Sequence, residues 1–292
     1  MSFAKVAVIG AGVMGQGISQ TIASIGTEVL LVDKDDSLLK SSIKALTDEM
    51  DREIERWGMT SSEKKAVLSR IRTTSNLDDV QDYPLIIEAI PEDLNLKKAL
   101  FAKLDKICPP ETILVTNTST LSITEIAQAT NRPSQVIGLH FLNPVPKIPL
   151  VEIVKGLKTS DETYEATKDF AQTLGKSTVK IFEYPGYVTT RIIVPLLNEA
   201  MHVLMEGVAT ASDIDNAIKL GYGFNIGPLA LADKMGLDVV MDWMENLLKE
   251  LSDHKYNPCP LLRKMVRAGQ LGVKSGQGFF KYDNDGNRIM EE

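Results

Sequence analysis

Lys5-Val6-Ala7-Val8-Ile9 is a short apolar run rich in β-branched residues, and Gly10-Ala11-Gly12-Val13-Met14-Gly15 follows it without a break. From Gln16 to Ile25, apolar Ile18, Ile22 and Ile25 recur at helical spacing until Gly26 stops the pattern. Glu28-Val29-Leu30-Leu31-Val32-Asp33 is then a second apolar run, closed by an acid. Strand, glycine loop, helix and strand in that order define a βαβ unit with parallel strands. A glycine cluster alone marks only a turn, but in this setting each glycine has a task. Gly10 permits the tight turn, Gly12 lets a pyrophosphate approach the backbone, and Gly15 lets the helix lie close to the sheet. The helix start behind Val13 and Met14 offers unpaired N–H groups and a partial positive charge to phosphates. Asp33, 18 residues beyond Gly15, is placed to accept hydrogen bonds from ribose hydroxyls. Its charge repels a 2′-phosphate, so the pattern predicts NAD as cofactor rather than NADP, a preference softened slightly by Lys34.

The same alternation continues. Ser37 to Arg56 and Ser61 to Ser69 read as charged helices, and the first is long enough to project from the core. Strands are expected at 85–90, 112–116 and 136–140, with further candidates at 151–154 and 178–181. Helices are expected at 93–107 and 122–129. Alternating strands and helices predict an α/β fold, a mostly parallel sheet of the Rossmann type covered on both faces. Beyond Pro185-Gly186 the texture changes to helices at 191–206, 211–220 and 228–251, with one late strand at 278–282. Two domains are therefore expected, residues 1–185 binding the dinucleotide and residues 186–292 an all-helical substrate and dimerisation domain.

The net charge of −7 argues against nucleic acid as a main partner. No apolar run reaches the roughly 18 residues of a membrane span. Two cysteines, Cys108 and Cys259, build neither a disulfide framework nor a four-thiolate zinc site. With no basic leader at the N-terminus, a reducing cytoplasm is the expected setting.

Of three histidines, His140 stands at the end of a predicted strand, where ligands of open α/β sheets bind. A histidine there is a candidate general base. Glu152 lies in Leu150-Val151-Glu152-Ile153-Val154, and an acid among apolar residues needs a partner. His140 is the natural one. The plainer reading is a satisfied structural histidine. No ligand spacing supports a metal, and His202 and His254 read as packing or surface residues.

Longer motifs extend these observations. They are Gly10 to Ile18, Cys108-Pro109-Pro110-Glu111-Thr112-Ile113-Leu114, Asn117-Thr118-Ser119, His140-Phe141-Leu142-Asn143-Pro144-Val145-Pro146 and Leu150-Val151-Glu152. In the second half stand Val194 to Ala200, Gly227-Pro228-Leu229-Ala230-Leu231-Ala232-Asp233 and Lys274-Ser275-Gly276-Gln277-Gly278-Phe279. Over essentially its whole length the chain resembles the (S)-3-hydroxyacyl-CoA dehydrogenases, above all the short bacterial 3-hydroxybutyryl-CoA enzymes. The resemblance implies a cytoplasmic, NAD-dependent homodimer whose C-terminal domain carries the dimer contact. It implies His140 as catalytic base, Glu152 as its orienting partner and Ser119 beside both substrate and nicotinamide. To Gly10, Gly12, Val13, Met14, Gly15 and Asp33 it adds Glu92, Lys97, Asn117, Ser119, Asn143 and Lys274 around the cofactor. Without the family, Lys97 reads as a solvated helix charge.

The family holds coenzyme A on the long helix after Asp33, where this chain has Arg52 and Arg56 in place of lysines. Four residues apart, they share a helical face. An ordinary charged surface helix explains them equally well. The chain departs from the family elsewhere. Thr190 replaces an asparagine expected to contact the reacting oxygen, Lys147-Ile148-Pro149 replaces Val-Met-Lys, and Thr116 and Thr120 replace serines. The expected reaction interconverts a 3-hydroxyacyl-CoA and its 3-ketoacyl-CoA. A dehydrogenase of a free hydroxy acid, of the gulonate or carnitine type, and an NAD-binding protein without turnover remain as alternatives.

Overall fold

In a computed structural model, which describes residues 3–283 and 285–289, the chain divides into two compact units, Met1–Tyr184 and Pro185–Glu292. The first contains β1 (Lys5–Ile9), α1 (Val13–Ser24), β2 (Glu28–Val32), α2 (Asp36–Glu55), α3 (Ser61–Arg70), β3 (Ile71–Thr74) and β4 (Leu85–Glu88). It continues with α4 (Leu94–Ile107), β5 (Ile113–Thr116), α5 (Ile123–Ala127), β6 (Val136–Phe141), β7 (Leu150–Lys155), α6 (Asp161–Thr173) and β8 (Ser177–Phe182).

The strands form one sheet in the order β3-β2-β1-β4-β5-β6-β7-β8. Val6, Val8, Leu85 and Ile87 in its centre are fully buried, as expected of strands covered on both faces. Ile18 and Ile22 of α1 pack into the same core. The strand order reverses between β1 and β4, and the crevice at such a switch point is where α/β folds bind ligands.

Two sequence expectations are revised in this unit. Ile71–Thr74 is a strand, paired with β2 at the sheet edge. Its half-exposed IRTT pattern carries no clear alternation. The sheet is mostly parallel, as expected, and its one antiparallel pair is β6 with β7. Apolar alternation says which residues are buried but not which way a strand runs. The helical pair does not project along its whole length. Leu39, Leu46 and Met50 of α2 and Val67 of α3 join the core, while the far end, around Arg56 and Trp57, is exposed.

The second unit contains α7 (Thr189–Met205), α8 (Ala211–Tyr222), α9 (Pro228–Met235), α10 (Leu237–Leu251) and α11 (Pro260–Arg267). Val194, Leu197, Met201, Leu229, Val240, Met244 and Leu247 form its core. The helix expected at 228–251 is two helices, broken at Gly236, whose φ of +98° no ordinary helix continues through. The strand expected at 278–282 is a turn with isolated bridges, Gln277 to Lys281 and Tyr282 to Arg288. It wraps Asp233, which accepts N–H bonds from Phe279 (2.9 Å) and Phe280 (3.0 Å) and the hydroxyl of Tyr282 (3.0 Å). Helix α11 is short and opens on Pro260, so it leaves little periodic signal. Cys108 and Cys259 are both free and buried. Among the described residues no helix is long and apolar enough to cross a membrane.

Candidate active site

The three glycines after β1 prove to be different in kind. A Cβ on Gly15 would fall 1.7 Å from the carbonyl oxygen of Gly10, so only glycine lets α1 lie this close. Gly10 has a φ of +106°, and a Cβ there would meet the carbonyl oxygen of Ala89 at 2.4 Å. A Cβ on Gly12 would meet nothing within 4 Å. Gly12 is needed by no protein neighbour and borders open space. It is also the N-cap of α1 and offers no side-chain cap. The other helices of this unit start on a capping side chain: Asp35, Thr60, Asp93, Ser122 and Ser160. The N–H groups at the head of α1, behind exposed Val13, thus face open space uncapped. One carboxylate oxygen of Asp33, just past β2, accepts the N–H of Ala11 at 2.9 Å, tying the acid to the loop.

His140 and Glu152 face each other across the one antiparallel step of the sheet, as direct partners in the β6–β7 register. The His140 Nδ1 lies 2.7 Å from Glu152 Oε2. Both residues are almost fully buried, 2% and 1% exposed. The His140 Nε2 lies 3.0 Å from Ser119 Oγ, in the loop after β5. With the carboxylate accepting from Nδ1, Nε2 is left with a lone pair directed at Ser119.

A second buried network sits beneath this loop. Lys97 of α4 is 1% exposed, not solvated, and its Nζ lies 2.5 Å from Glu88 and 3.4 Å from Glu92. Glu88, at the end of β4, also accepts the Thr116 hydroxyl at 2.7 Å and the Ile90 N–H at 2.8 Å. A single oxygen of Glu92 accepts the Thr118 hydroxyl (2.5 Å) and the N–H groups of Ser119 (2.9 Å) and Thr120 (3.0 Å). Burial pushes the Glu92 carboxyl up, but Lys97 and these donors outweigh it and hold it below the ordinary carboxylate range. Glu92 therefore fixes the backbone of the residue that reaches His140. Asn117 accepts the Phe141 N–H at 3.0 Å and so links the same loop to β6. Sequence reasoning missed Glu88, although an acid among apolar residues, the feature that singles out Glu152, is equally present in Leu85-Ile86-Ile87-Glu88.

A cleft of about 500 Å³ opens between α1, the end of α2 and the loop after β6. Its walls include Val13, Gln16, Arg52, Glu53, Asn143 and Lys147. Arg52 lines it and pairs with Glu49 at 2.5 Å. Arg56, one turn on, is exposed and not among the lining residues. Thr190 and Lys274 belong to the helical unit. Thr190 is buried in the first turn of α7, and Lys274 pairs with Asp238 at 2.5 Å.

A family model described as the NAD binding domain of 3-hydroxyacyl-CoA dehydrogenase matches residues 5–184, and one described as its C-terminal domain matches residues 186–282. The chain belongs to the 3-hydroxyacyl-CoA dehydrogenase family. It is 46% identical over 283 residues to a probable 3-hydroxybutyryl-CoA dehydrogenase of Bacillus subtilis, spanning 97% of this chain and 99% of that one. It is 45% identical over 279 residues to a 3-hydroxybutyryl-CoA dehydrogenase of Clostridioides difficile, spanning 96% and 99%. The crystal structure of (S)-3-hydroxybutyryl-CoA dehydrogenase PaaH1 from Ralstonia eutropha matches with a TM-score of 0.88 at 41% identity, over 97% of this chain and all of that one. Like other 3-hydroxyacyl-CoA dehydrogenases, the protein is an NAD-dependent oxidoreductase acting on a CH–OH group. Its residues fit that cofactor: the space at Gly12 and the uncapped head of α1 suit a pyrophosphate. The acid at the end of β2 suits a ribose without a 2′-phosphate.

Proposed function

We propose that the protein interconverts a short-chain (S)-3-hydroxyacyl-CoA, such as 3-hydroxybutyryl-CoA, and the 3-ketoacyl-CoA, with His140 as general acid and base. The observation that carries this reading is the line from Ser119 Oγ through the His140 ring to Glu152, with contacts of 3.0 and 2.7 Å. In the oxidative direction Nε2 takes the proton of the substrate's C3 hydroxyl. Glu152 stabilises the imidazolium that results and keeps the ring from turning. NAD, when bound, supplies the acceptor for the hydride that leaves C3. In the reductive direction the imidazolium returns its proton to the carbonyl oxygen. Ser119 donates to that oxygen as charge develops on it. By the family resemblance Thr190, in place of an asparagine, is a further catalytic residue.

Gly10, Gly12, Val13, Met14, Gly15 and Asp33 bind the dinucleotide, and by the family resemblance Asn117, Asn143 and Lys274 are cofactor-binding residues as well. Glu92 and Lys97 act there chiefly by fixing the Ser119 loop. Arg52 serves the phosphates of coenzyme A from the wall of the cleft, and Arg56 serves them from outside it. Residues 1–185 form the dinucleotide domain, and residues 186–292 form the helical substrate and dimerisation domain that pairs with a second copy. Exposed Ile192 (66%), Val208 (70%), Leu220 (85%) and Tyr222 (77%) on the helical unit support that pairing. Two free, buried cysteines suit the cytoplasm.

NADH oxidation measured with acetoacetyl-CoA, with acetoacetate and with no keto substrate tests the reading. Turnover with acetoacetyl-CoA alone is expected. Equal turnover of free acetoacetate would favour a hydroxy-acid dehydrogenase, and no turnover of either would favour a binding protein.

A further inference from the structure

The loop after β6 carries a cation that none of these roles uses. Lys147 lines the cleft, and its side chain is 49% exposed. Its backbone is held firmly. The N–H groups of Lys147 and Ile148 both reach the carbonyl of Pro144 at 3.0 Å. Beneath them the buried ammonium of Lys176 donates to the carbonyls of Val145 (2.5 Å) and Ile148 (2.7 Å). Val145 is itself 1% exposed. Val145 packs against α1 so closely that a Cβ on Gly17 would lie 3.1 Å from its Cβ. A fixed backbone thus presents a half-exposed ammonium to the cleft.

Lys147 is held by Glu53 of α2, Nζ to Oε1 at 2.5 Å, and Glu53 also lines the cleft. On the helical wall Arg52 stands in the same relation to Glu49. The cleft therefore has two cations, each parked on a carboxylate. Ion pairs with this much exposure are weak. A phosphate group brings more negative charge and more acceptor oxygens than the carboxylate it would displace.

We infer that Lys147 binds the phosphate groups of the coenzyme A portion of the substrate, releasing Glu53 to do so. The inference rests on the acyl-CoA reading above and adds a specificity element to it. Lys147 opens the stretch Lys147-Ile148-Pro149 in which this chain departs from the Val-Met-Lys of the family pattern. Phosphates of the dinucleotide are the other source of the same chemistry, because Val13 at the head of α1 also lines the cleft.

The test compares steady-state KM values at low salt for acetoacetyl-CoA, for acetoacetyl-pantetheine, which has no phosphate, and for NADH. Lys147→Ala is expected to raise the KM for acetoacetyl-CoA roughly three- to tenfold, the range of a partly exposed charge contact. The KM values for acetoacetyl-pantetheine and NADH should not follow, and high salt should erase the difference. Glu53→Gln removes the competitor and should lower the KM for acetoacetyl-CoA. Opposite signs for the two variants distinguish a ligand contact from a strut. If both raise KM, the pair merely ties the loop to α2 and the inference falls. If the KM for NADH rises instead, Lys147 serves the dinucleotide, and it also falls. If the wild type prefers acetoacetyl-CoA over acetoacetyl-pantetheine and Lys147→Ala keeps that preference, the inference alone is overturned. Equal KM values for both thioesters in the wild type would overturn the acyl-CoA reading together with it.

Discussion

His140 and Glu152 are direct partners across the β6–β7 pair, with Nδ1 and Oε2 2.7 Å apart. That pair is the one antiparallel step in the sheet. Reversing β7 brings a residue twelve positions on in the chain beside the end of β6. Glu152→Gln keeps the shape and one acceptor but removes the charge that stabilises the imidazolium. Its kcat is expected to fall on the order of 10²-fold, within the range of general acid–base catalysis. NADH affinity, measured by titration, should remain. An unchanged kcat would reduce Glu152 to a structural partner.

The same substitution at two glycines should fail in two different ways. Gly15→Ala drives a methyl group to 1.7 Å from a backbone oxygen, so the protein should unfold at a much lower temperature or not fold. Gly12→Ala meets no protein atom within 4 Å and leaves extended backbone at φ −69°. It should fold with near wild-type stability and bind NADH on the order of tenfold more weakly, the equivalent of about 1.4 kcal/mol. Thermal melts and NADH titrations of both variants check the contrast.

Glu92 gathers four donors of the Ser119 loop on one oxygen. Glu92→Ala should lower kcat about tenfold through a displaced Ser119, of the order of one charge-assisted hydrogen bond. The carboxyl is held below its ordinary value of 4.5. Its contribution to folding is therefore present above that value and is lost as pH falls through the lower folded value. Acid denaturation of wild type and Glu92→Ala should show the gap between them constant at neutral pH and closing only below pH 4.5.

Much of this is legible in the sequence, and the gaps have physical causes. The unit from β1 to β2 is local, and its turn, helix and acid each leave a residue-level mark. His140 and Glu152 were found because an acid in an apolar strand demands a partner. Lys97 escaped because its partner Glu88 is nine residues back and one strand away, so its helix context looks solvated. The antiparallel turn of β7 left no mark, because alternation is the same in either direction. Gly278-Phe279-Phe280-Lys281-Tyr282 looks like a strand because it is apolar, yet the N–H groups of Phe279 and Phe280 go to Asp233 rather than to a neighbouring strand.

Asp233 gives the helical unit a pH dependence of opposite sign. Burial raises its carboxyl from 3.8 to about 6, against the pull of the Phe279 and Phe280 N–H bonds. Asp215 nearby adds to the rise. Between those values the folded protein binds the proton that the unfolded chain has released, so stability falls as pH rises through this window. Relative to Asp233→Asn, the wild type should lose at most about 3 kcal/mol between pH 3.8 and about 6. Urea denaturation of both proteins across the window measures it. A gap that does not change with pH would contradict the assignment.

The proposed role of His140 is to move the proton at C3 of an acyl-CoA. The most direct test is the single-turnover rate of NADH oxidation by acetoacetyl-CoA for wild type and His140→Ala, with NADH binding measured on the same samples. A loss of at least about 10²-fold in the rate is expected, with NADH bound as tightly as before. A rate within a few-fold of wild type, with binding intact, would contradict it.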